Sequence, residues 1–505
     1  MSWPLTASGM SWAWICVGCS NPQSRIPLQR SLESPRSPNV VLESNISFMM
    51  SLPRFDSVSC GRSYSNRVER HGTVTFQPIQ PYRGICSTEP MHGTSTLQID
   101  LDAITHNVGQ LRALCAPGVR FCAVLKADAY GLGATGVMST LKQAGSSMFA
   151  VFSPTEACEL AGFDMPILIL MPVMAEDIPI ELIEKLTAGS IHFVIHDTSQ
   201  MESLDSLGRR LGIGLPVHLK IDTGLHRGGC SPRDAVIMVR AIQRSSALEL
   251  AGLMTHFAQA ASSEQVTSNQ MRQLDAIVEH LSSELSPETI IHAAGTCGAL
   301  RGGDYQADMI RIGLAWSGHL TNAAGDLGDR LAEPLQPAVT WRSRLVLTRM
   351  IGIGDRVGYG GDWVAERPTR LGLIPVGYAN GYPIDAATPE DGGPGLAVDL
   401  VLDDGATAMS VPVIGRVSMD QLMVDLTEVP EEMGVGTPVD LISSRPGSPC
   451  QLSSISKRLG RSPHSILVQI NSRVERVYVH GGNQWQAHTD SRPQVEIPST
   501  NAVAG

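Results

Sequence analysis

The chain has 505 residues, 43% hydrophobic and 17% charged, with a formal net charge of -11. That length exceeds one ordinary core and predicts two domains with extensions, in a soluble globular class. Acidity without a basic block excludes nucleic acid as a partner, because phosphate neutralisation needs clustered Lys and Arg. No apolar run approaches the roughly 20 residues that span a bilayer, so no membrane association is expected.

Residues 1–94 are rich in Ser, Pro and Arg, contain no lysine and carry few acids. Three readings stand there: a leader, since such composition suits targeting peptides; a disordered extension; or a start placed too early, with Met91 just before the first ordered-looking segment. Ten cysteines are scattered along the chain. Only Cys16 and Cys19 have a two-residue gap, and nothing completes a metal set, so no metal is expected. Cys122 lies inside Phe121-Cys122-Ala123-Val124, an apolar run. Buried free thiols of this kind fit a reducing, cytoplasmic location.

Segment 95–328 alternates short apolar runs with amphipathic stretches. The runs 121–125, 148–152, 166–170, 191–195, 217–221, 250–255, 289–293 and 309–314 each read as a strand buried on both faces. Helical patterns over 102–115 and 268–285 lie among them, with Asp102 as a candidate N-cap. Eight strand-helix units predict an α/β fold of the TIM (β/α)8 barrel type, with a doubly wound sheet as the alternative. Segment 329–482 reads as a mostly β C-terminal domain. Its strands are expected at 339–350, 370–376, 396–402, 410–414, 421–426, 438–442 and 476–480, with helices only at 451–459 and 463–470. A tail at 483–505 is polar and loose.

In such a barrel, chemistry gathers at the carboxyl ends of the strands. The first run leads into Lys126, Asp128 and Tyr130. The fifth contains Lys220 and leads to Asp222 and Arg227. The sixth ends at His256, the seventh at Gly295-Thr296, and the eighth contains Arg311 and ends at Gly313-Leu314. Lys126 ends an apolar strand, where desolvation lowers a lysine pKa and favours Schiff-base chemistry; an ordinary strand-end lysine is the plainer reading. Tyr130-Gly131-Leu132-Gly133 is read as a loop that lets backbone amides approach an anion near a helix start. A lysine beside a phosphate cradle suits pyridoxal phosphate. Arg311 is placed either against the pyridine nitrogen or in a salt bridge with Asp304 or Asp308. His256 alone also fits a hydrogen-bonded core histidine.

These residues carry a resemblance. Ala123-Val124-Leu125-Lys126-Ala127-Asp128-Ala129-Tyr130-Gly131 resembles the cofactor-lysine signature of alanine racemases. So do His218-Leu-Lys220-Ile-Asp222-Thr223-Gly224-Leu-His226-Arg227, Thr255-His256-Phe257, Ile310-Arg311-Ile-Gly313-Leu314-Ala, Arg356-Val-Gly-Tyr359-Gly, Pro375-Val-Gly-Tyr378-Ala-Asn-Gly-Tyr and Gly415-Arg-Val-Ser-Met419-Asp420-Gln. The resemblance implies a homodimer in which each site is completed by the partner's β domain, and an amino-acid substrate. It implies L-alanine and D-alanine interconversion with pyridoxal 5'-phosphate, supplying D-alanine for cell-wall synthesis. Lys126 then carries the cofactor and acts as one base, and Tyr359 from the other subunit is the opposite base. Two bases are needed because the α-proton leaves one face and returns on the other. Tyr130, Thr296, Gly313 and Leu314 fall where the family holds the phosphate. Arg311 faces the pyridine nitrogen with His256 behind it. Arg227 approaches the phenolic oxygen, Met419 the substrate carboxylate, and Tyr378 lines the entrance. Lys220 matches a lysine carbamylated in some members.

Several positions depart from the family pattern. Leu132 replaces a frequent histidine, Gly295 an asparagine, Ile312 a proline, Asn380 an aspartate and Ser418 a cysteine. Ser472 stands where some members place a phosphate-binding tyrosine. The smaller Gly295 and Ser472 admit a larger substrate, such as serine, as an alternative. A decarboxylase of the same plan is disfavoured by Arg311, since those enzymes usually pair the ring nitrogen with a carboxylate. A cofactor carrier built on the barrel is disfavoured by the second domain.

Overall fold

The computed structural model describes residues 93–387, 395–402, 405 and 407–480. The expectations for 1–94, apart from its last two residues, and for the tail at 483–505 lie outside the described residues.

All eight apolar runs of the first segment form strands of one parallel sheet. They are β2 (Arg120–Val124), β3 (Met148–Val151), β4 (Ile167–Ile169), β5 (Ile191–Ile195), β6 (Leu215–Lys220), β7 (Leu248–Met254), β8 (Ile290–His292) and β9 (Met309–Ile312). Neighbours pair in chain order from β2 to β8, and β9 returns to pair with β2. Between β8 and β9 the ring is bridged by the Asp308 N–H donating to Ile291 O at 2.9 Å and the Arg311 N–H donating to Ala294 O at 2.9 Å. The result is a nearly closed (β/α)8 barrel. Phe121, Ala123, Phe149, Val217, Leu219 and Ile310 are at most 1% exposed, as strands covered on both faces require.

The first strand of the described chain does not join that barrel. Strand β1 (Thr96–Asp100) pairs antiparallel with β10 (Val339–Arg344) and parallel with β19 (Glu475–Val479). The start of segment 95–328 therefore lies in the second domain's sheet. Both partners are more than 200 residues away in sequence, so no local pattern marks the pairing. Asp100 ends β1 and caps the helix Leu101–Ala113, its Oδ1 accepting from the Asp102 and Ala103 N–H groups at 2.9 and 3.0 Å. Asp102, expected as the cap, sits in the first turn instead.

The second domain is mostly β. Its remaining strands are β11 (Leu347–Ile351), β12 (Arg356–Val357), β13 (Trp363–Val364), β14 (Thr369–Ile374), β15 (Ala397–Val401), β16 (Ala408–Ile414), β17 (Leu422–Asp425) and β18 (Pro438–Ile442). The nine-stranded sheet runs β11-β14-β17-β16-β15-β18-β10-β1-β19, and β12 pairs with β13 alone. The strand expected at 339–350 is two strands, because β10 hydrogen-bonds to β18 and β11 to β14. The helices expected at 451–459 and 463–470 appear as Leu452–Leu459 and Pro463–Leu467.

Candidate active site

A cavity of about 610 Å³ opens at the carboxyl ends of the barrel strands. All eight residues placed at the cofactor from the sequence line it: Lys126, Tyr130, Arg227, His256, Thr296, Arg311, Gly313 and Leu314. Lys220 lines it too. A cavity of about 800 Å³ lies beside Val119 and Asp308, at the amino ends of β2 and β9, and is bordered by Asp275 and Asp304. Barrel chemistry sits at the opposite face, so the smaller cavity is the candidate site.

Lys126 directly follows the last buried residue after β2. Burial and the neighbouring Arg227 cation lower its pKa, against a weaker opposing pull from Glu156. The next four residues, Ala127 to Tyr130, have φ between 52° and 61° and ψ between 33° and 54°. This is a left-handed turn of non-glycine residues, a conformation that costs roughly 1–2 kcal/mol per residue and persists only when surroundings impose it. The surroundings here are specific. Ala127 N–H donates to Glu156 Oε1 at 2.9 Å, and Ala129 N–H to Leu125 O at 2.7 Å. Asp128 accepts from Gly133 N–H at its carbonyl and from Ala134 N–H at its Oδ1, at 3.0 and 2.7 Å. From β19, Arg476 Nε and Nη2 donate to Gly131 O at 3.0 and 2.9 Å, and Tyr478 Oη to Leu132 O at 3.0 Å.

The glycines of this loop serve a different purpose from the one read in the sequence. A Cβ on Gly133 would lie 1.9 Å from Tyr478 Oη, and one on Gly136 1.9 Å from Tyr478 Cζ. A Cβ on Gly131 would lie 2.9 Å from Leu467 O. The missing side chains admit the second domain, and the Leu132 and Gly133 amides are engaged within the loop. Close approach inside the cavity falls to Gly313 instead, where a Cβ would stand 2.5 Å from Tyr130 Oη.

Arg311 is 5% exposed and meets no carboxylate among the described residues. Asp308 instead accepts from the Ile291 N–H at 2.7 Å. Arg311 Nη1 donates to His292 Nδ1 at 2.9 Å. Its Nη2 donates to Thr255 O and Ala293 O at 2.9 Å and to His256 Nδ1 at 3.0 Å. Guanidinium is a donor only, so both Nδ1 atoms must accept and both rings carry their proton on Nε2 when neutral. His292 Nε2 then donates to His218 Nδ1 at 2.9 Å, and His218 Nε2 to His192 Nδ1 at 3.0 Å. Burial keeps these rings neutral: His256 is pushed down to about 3 by burial and then by Arg311, and His292 and His218 fall well below the usual range. The sequence reading missed His192 and His292. The available signal was a histidine at a buried strand position among apolar neighbours.

Lys220 is 8% exposed, and burial together with Arg227 and Arg311 lowers its amine to about 8. Asp222 shapes the loop beyond it, its Oδ1 accepting from the Gly224, Leu225 and His226 N–H groups at 3.0 Å. Arg227 follows, exposed at the rim of the cavity.

Three residues assigned from the sequence are not in this cavity. Tyr359, Tyr378 and Met419 are 74%, 40% and 54% exposed. Their loops adjoin. Gly358 packs beside Arg416, and the Tyr378 and Ala379 N–H groups donate to Ser418 O and Met419 O at 3.2 and 2.9 Å. They form one outward-facing patch of the second domain. Of the departures from the family pattern, a Cβ on Gly295 would lie 3.2 Å from His256 Cε1, so that space borders the imidazole. Ser472 is exposed and does not line the cavity.

Groups able to hold and move a proton thus converge at one barrel mouth, which defines the chain as an enzyme of the two-domain barrel kind. The chain belongs to the alanine racemase family. The N-terminal domain model of that family matches residues 99–321 and the C-terminal domain model residues 338–478. The chain is 31% identical over 384 residues to the alanine racemase of Halothermothrix orenii, covering 75% of this chain and 96% of that relative. It is 34% identical over 383 residues to that of Pseudomonas taetrolens, covering 75% and 98%. Among solved structures, alanine racemase from the D-cycloserine producer Streptomyces lavendulae superposes with a TM-score of 0.67 at 28% identity, covering 78% of this chain and 98% of that one. The Bartonella henselae enzyme, solved with covalently bound pyridoxal phosphate, gives 0.63 at 26%, covering 77% and 100%.

Proposed function

We propose that the protein interconverts L-alanine and D-alanine, with pyridoxal phosphate held at Lys126 and a second base, Tyr359, supplied by another copy of the chain. The observation that carries this reading is a desolvated lysine sharing one cavity with a buried arginine whose partners are all neutral. The residues fit the cofactor. Tyr130 Oη against the backbone of Gly313, with Thr296 and Leu314 beside them, makes a polar cradle for its phosphate.

Pyridoxal phosphate, when bound, acidifies the α-proton of an amino acid by delocalising the electrons left behind. Arg311 is a permanent donor fixed by four hydrogen bonds, so it withholds a proton from the ring nitrogen and restrains side reactions. Lys126, kept partly desolvated, takes or returns the α-proton on one face. Tyr359 serves the other face. The exposure of Tyr359, Tyr378 and Met419 on one patch supports their meeting the cavity of a second copy. Lys220, lowered to about 8, is reactive enough to be carbamylated and so to steady Arg227.

Cys115, Cys122, Cys158, Cys230, Cys297 and Cys450 are all free, which supports a reducing compartment such as the cytoplasm. No helix among the described residues is long and apolar enough to cross a membrane. D-alanine for cell-wall synthesis is the product use this reading supports.

The test uses two inactive variants. Lys126→Ala is expected to lose the absorbance of lysine-bound cofactor and all racemisation of alanine. Tyr359→Phe is expected to keep the absorbance and lose at least about a hundredfold in rate. Mixing the two should restore activity, because one site of the mixed dimer then holds both native bases. A mixture as inactive as its components would refute the exchange between subunits, and a fully active Lys126→Ala would refute the whole reading.

A further inference from the structure

The cavity lined by Tyr130, Thr296 and Gly313 is also lined by three histidines that the sequence reading did not single out, His196, His319 and His464. His319 follows β9 by seven residues. It is 7% exposed, and its buried Nε2 has no hydrogen-bond partner among the described residues. His464 comes from the other domain, in the helix Pro463–Leu467. Its ring meets that of Tyr130 edge-on, with centroids 5.3 Å apart and planes at 70°. Lys126, Tyr130, His464 and His319 all line this one cavity, with Tyr130 and His464 in ring contact.

The chemistry there lacks an acceptor. Burial keeps the His319 and His464 imidazoles neutral, His319 being pushed down to about 4. A neutral imidazole still offers one N–H, and beside an anion it gains a second proton more readily. The place where some family members carry a phosphate-binding tyrosine is Ser472 here, exposed and away from the wall. The His319 ring, whose buried Nε2 has no partner among the described residues, lines the same cavity as Tyr130. Such a group is satisfied by a ligand with strong acceptor oxygens and a double negative charge.

We propose that His319 and His464 hold the phosphate tail of pyridoxal phosphate, in place of a tyrosine hydroxyl at position 472. This rests on the reading that the cofactor is anchored at Lys126. Tyr130 is then held from two sides, its hydroxyl against Gly313 and its ring against His464. The phosphate is gripped by residues of both domains of one chain.

The experiment titrates cofactor-free protein with pyridoxal phosphate and, separately, with pyridoxal, which has the same ring and aldehyde but no phosphate. Binding is followed by the absorbance of the lysine-bound ring. The variants are His319→Leu and His464→Phe, the latter keeping a ring against Tyr130. Each is expected to raise the Kd for pyridoxal phosphate by about ten- to a hundredfold, the effect of losing one charge-assisted hydrogen bond. The Kd for pyridoxal should change by less than about twofold, which also reports an intact fold. Equal weakening of both ligands in both variants would assign the histidines to packing and overturn the proposal, as would no change in either. Failure of the native protein to bind either ligand at Lys126 would instead overturn the cofactor reading itself.

Discussion

Arg311 offers its protons to two imidazoles and two carbonyls, and no carboxylate among the described residues reaches it. Its identity as arginine matters through geometry as well as charge. Arg311→Lys keeps a cation but replaces a planar fork, whose Nη1 and Nη2 serve separate acceptors, by a single nitrogen, so the acceptors of one branch lose their donor. Folding stability is expected to fall by about 1–3 kcal/mol, read from the denaturant midpoint. An unchanged midpoint would contradict the importance of these bonds. Sequence spacing left Arg311 between a ring partner and a salt bridge with Asp304 or Asp308. Spacing weighed the two alternatives evenly, and the direction of the side chain inside the barrel turns Arg311 away from both acids and onto two imidazoles and two carbonyls.

At the scale of elements, the turn after Lys126 and strand β19 are a matched pair. The turn is strained, and β19 reaches across with Arg476 and Tyr478 to bind its carbonyls. Gly133→Ala puts a Cβ into Tyr478 Oη and also burdens a φ of 85°. It is expected to cost about 1–3 kcal/mol. Tyr478→Phe removes the hydroxyl and its bond at about 0.5–1.5 kcal/mol. Because the same hydroxyl causes the closest clash, Gly133→Ala should cost less in the Tyr478→Phe background. Strictly additive denaturation energies would show that the two do not meet. The glycines were visible in the sequence, but their partner lies 345 residues along the chain, and a Gly-rich loop reads equally as an anion cradle.

For the whole molecule, the buried histidines couple stability to pH. His192 and His319 are pushed down to about 4 and His256 to about 3, burial being the main cause in each, while His218 and His292 fall well below the usual range. An unfolded histidine titrates near 6.5. Between that value and the depressed folded ones, the unfolded state binds more protons. The stabilisation is therefore present above about pH 6.5 and is lost as pH falls through about 6.5 towards 4, at up to about 1.4 kcal/mol per pH unit for each group. Denaturant midpoints measured from pH 7.5 to 5 should fall steeply, before most carboxylates titrate. A flat profile over that range would mean these rings are not buried and neutral.

The residues lining the candidate active-site cavity and the barrel that carries them were legible in the chain itself. A strand buried on both faces is a continuous apolar run, and the polar residue that ends it must face the barrel mouth. The eight runs and the eight cavity residues followed from that one physical rule and the family resemblance. Tertiary structure alone decided which residues hold the cavity in shape. The pairing of β1 with β10 and β19, the grip of Tyr478 on the lysine turn, the hydrogen-bonded histidines behind Arg311, and the ring contact of Tyr130 with His464 join positions far apart in the chain. Such contacts depend on side-chain direction and exclusion of water across two domains, which local hydrophobic periodicity does not encode.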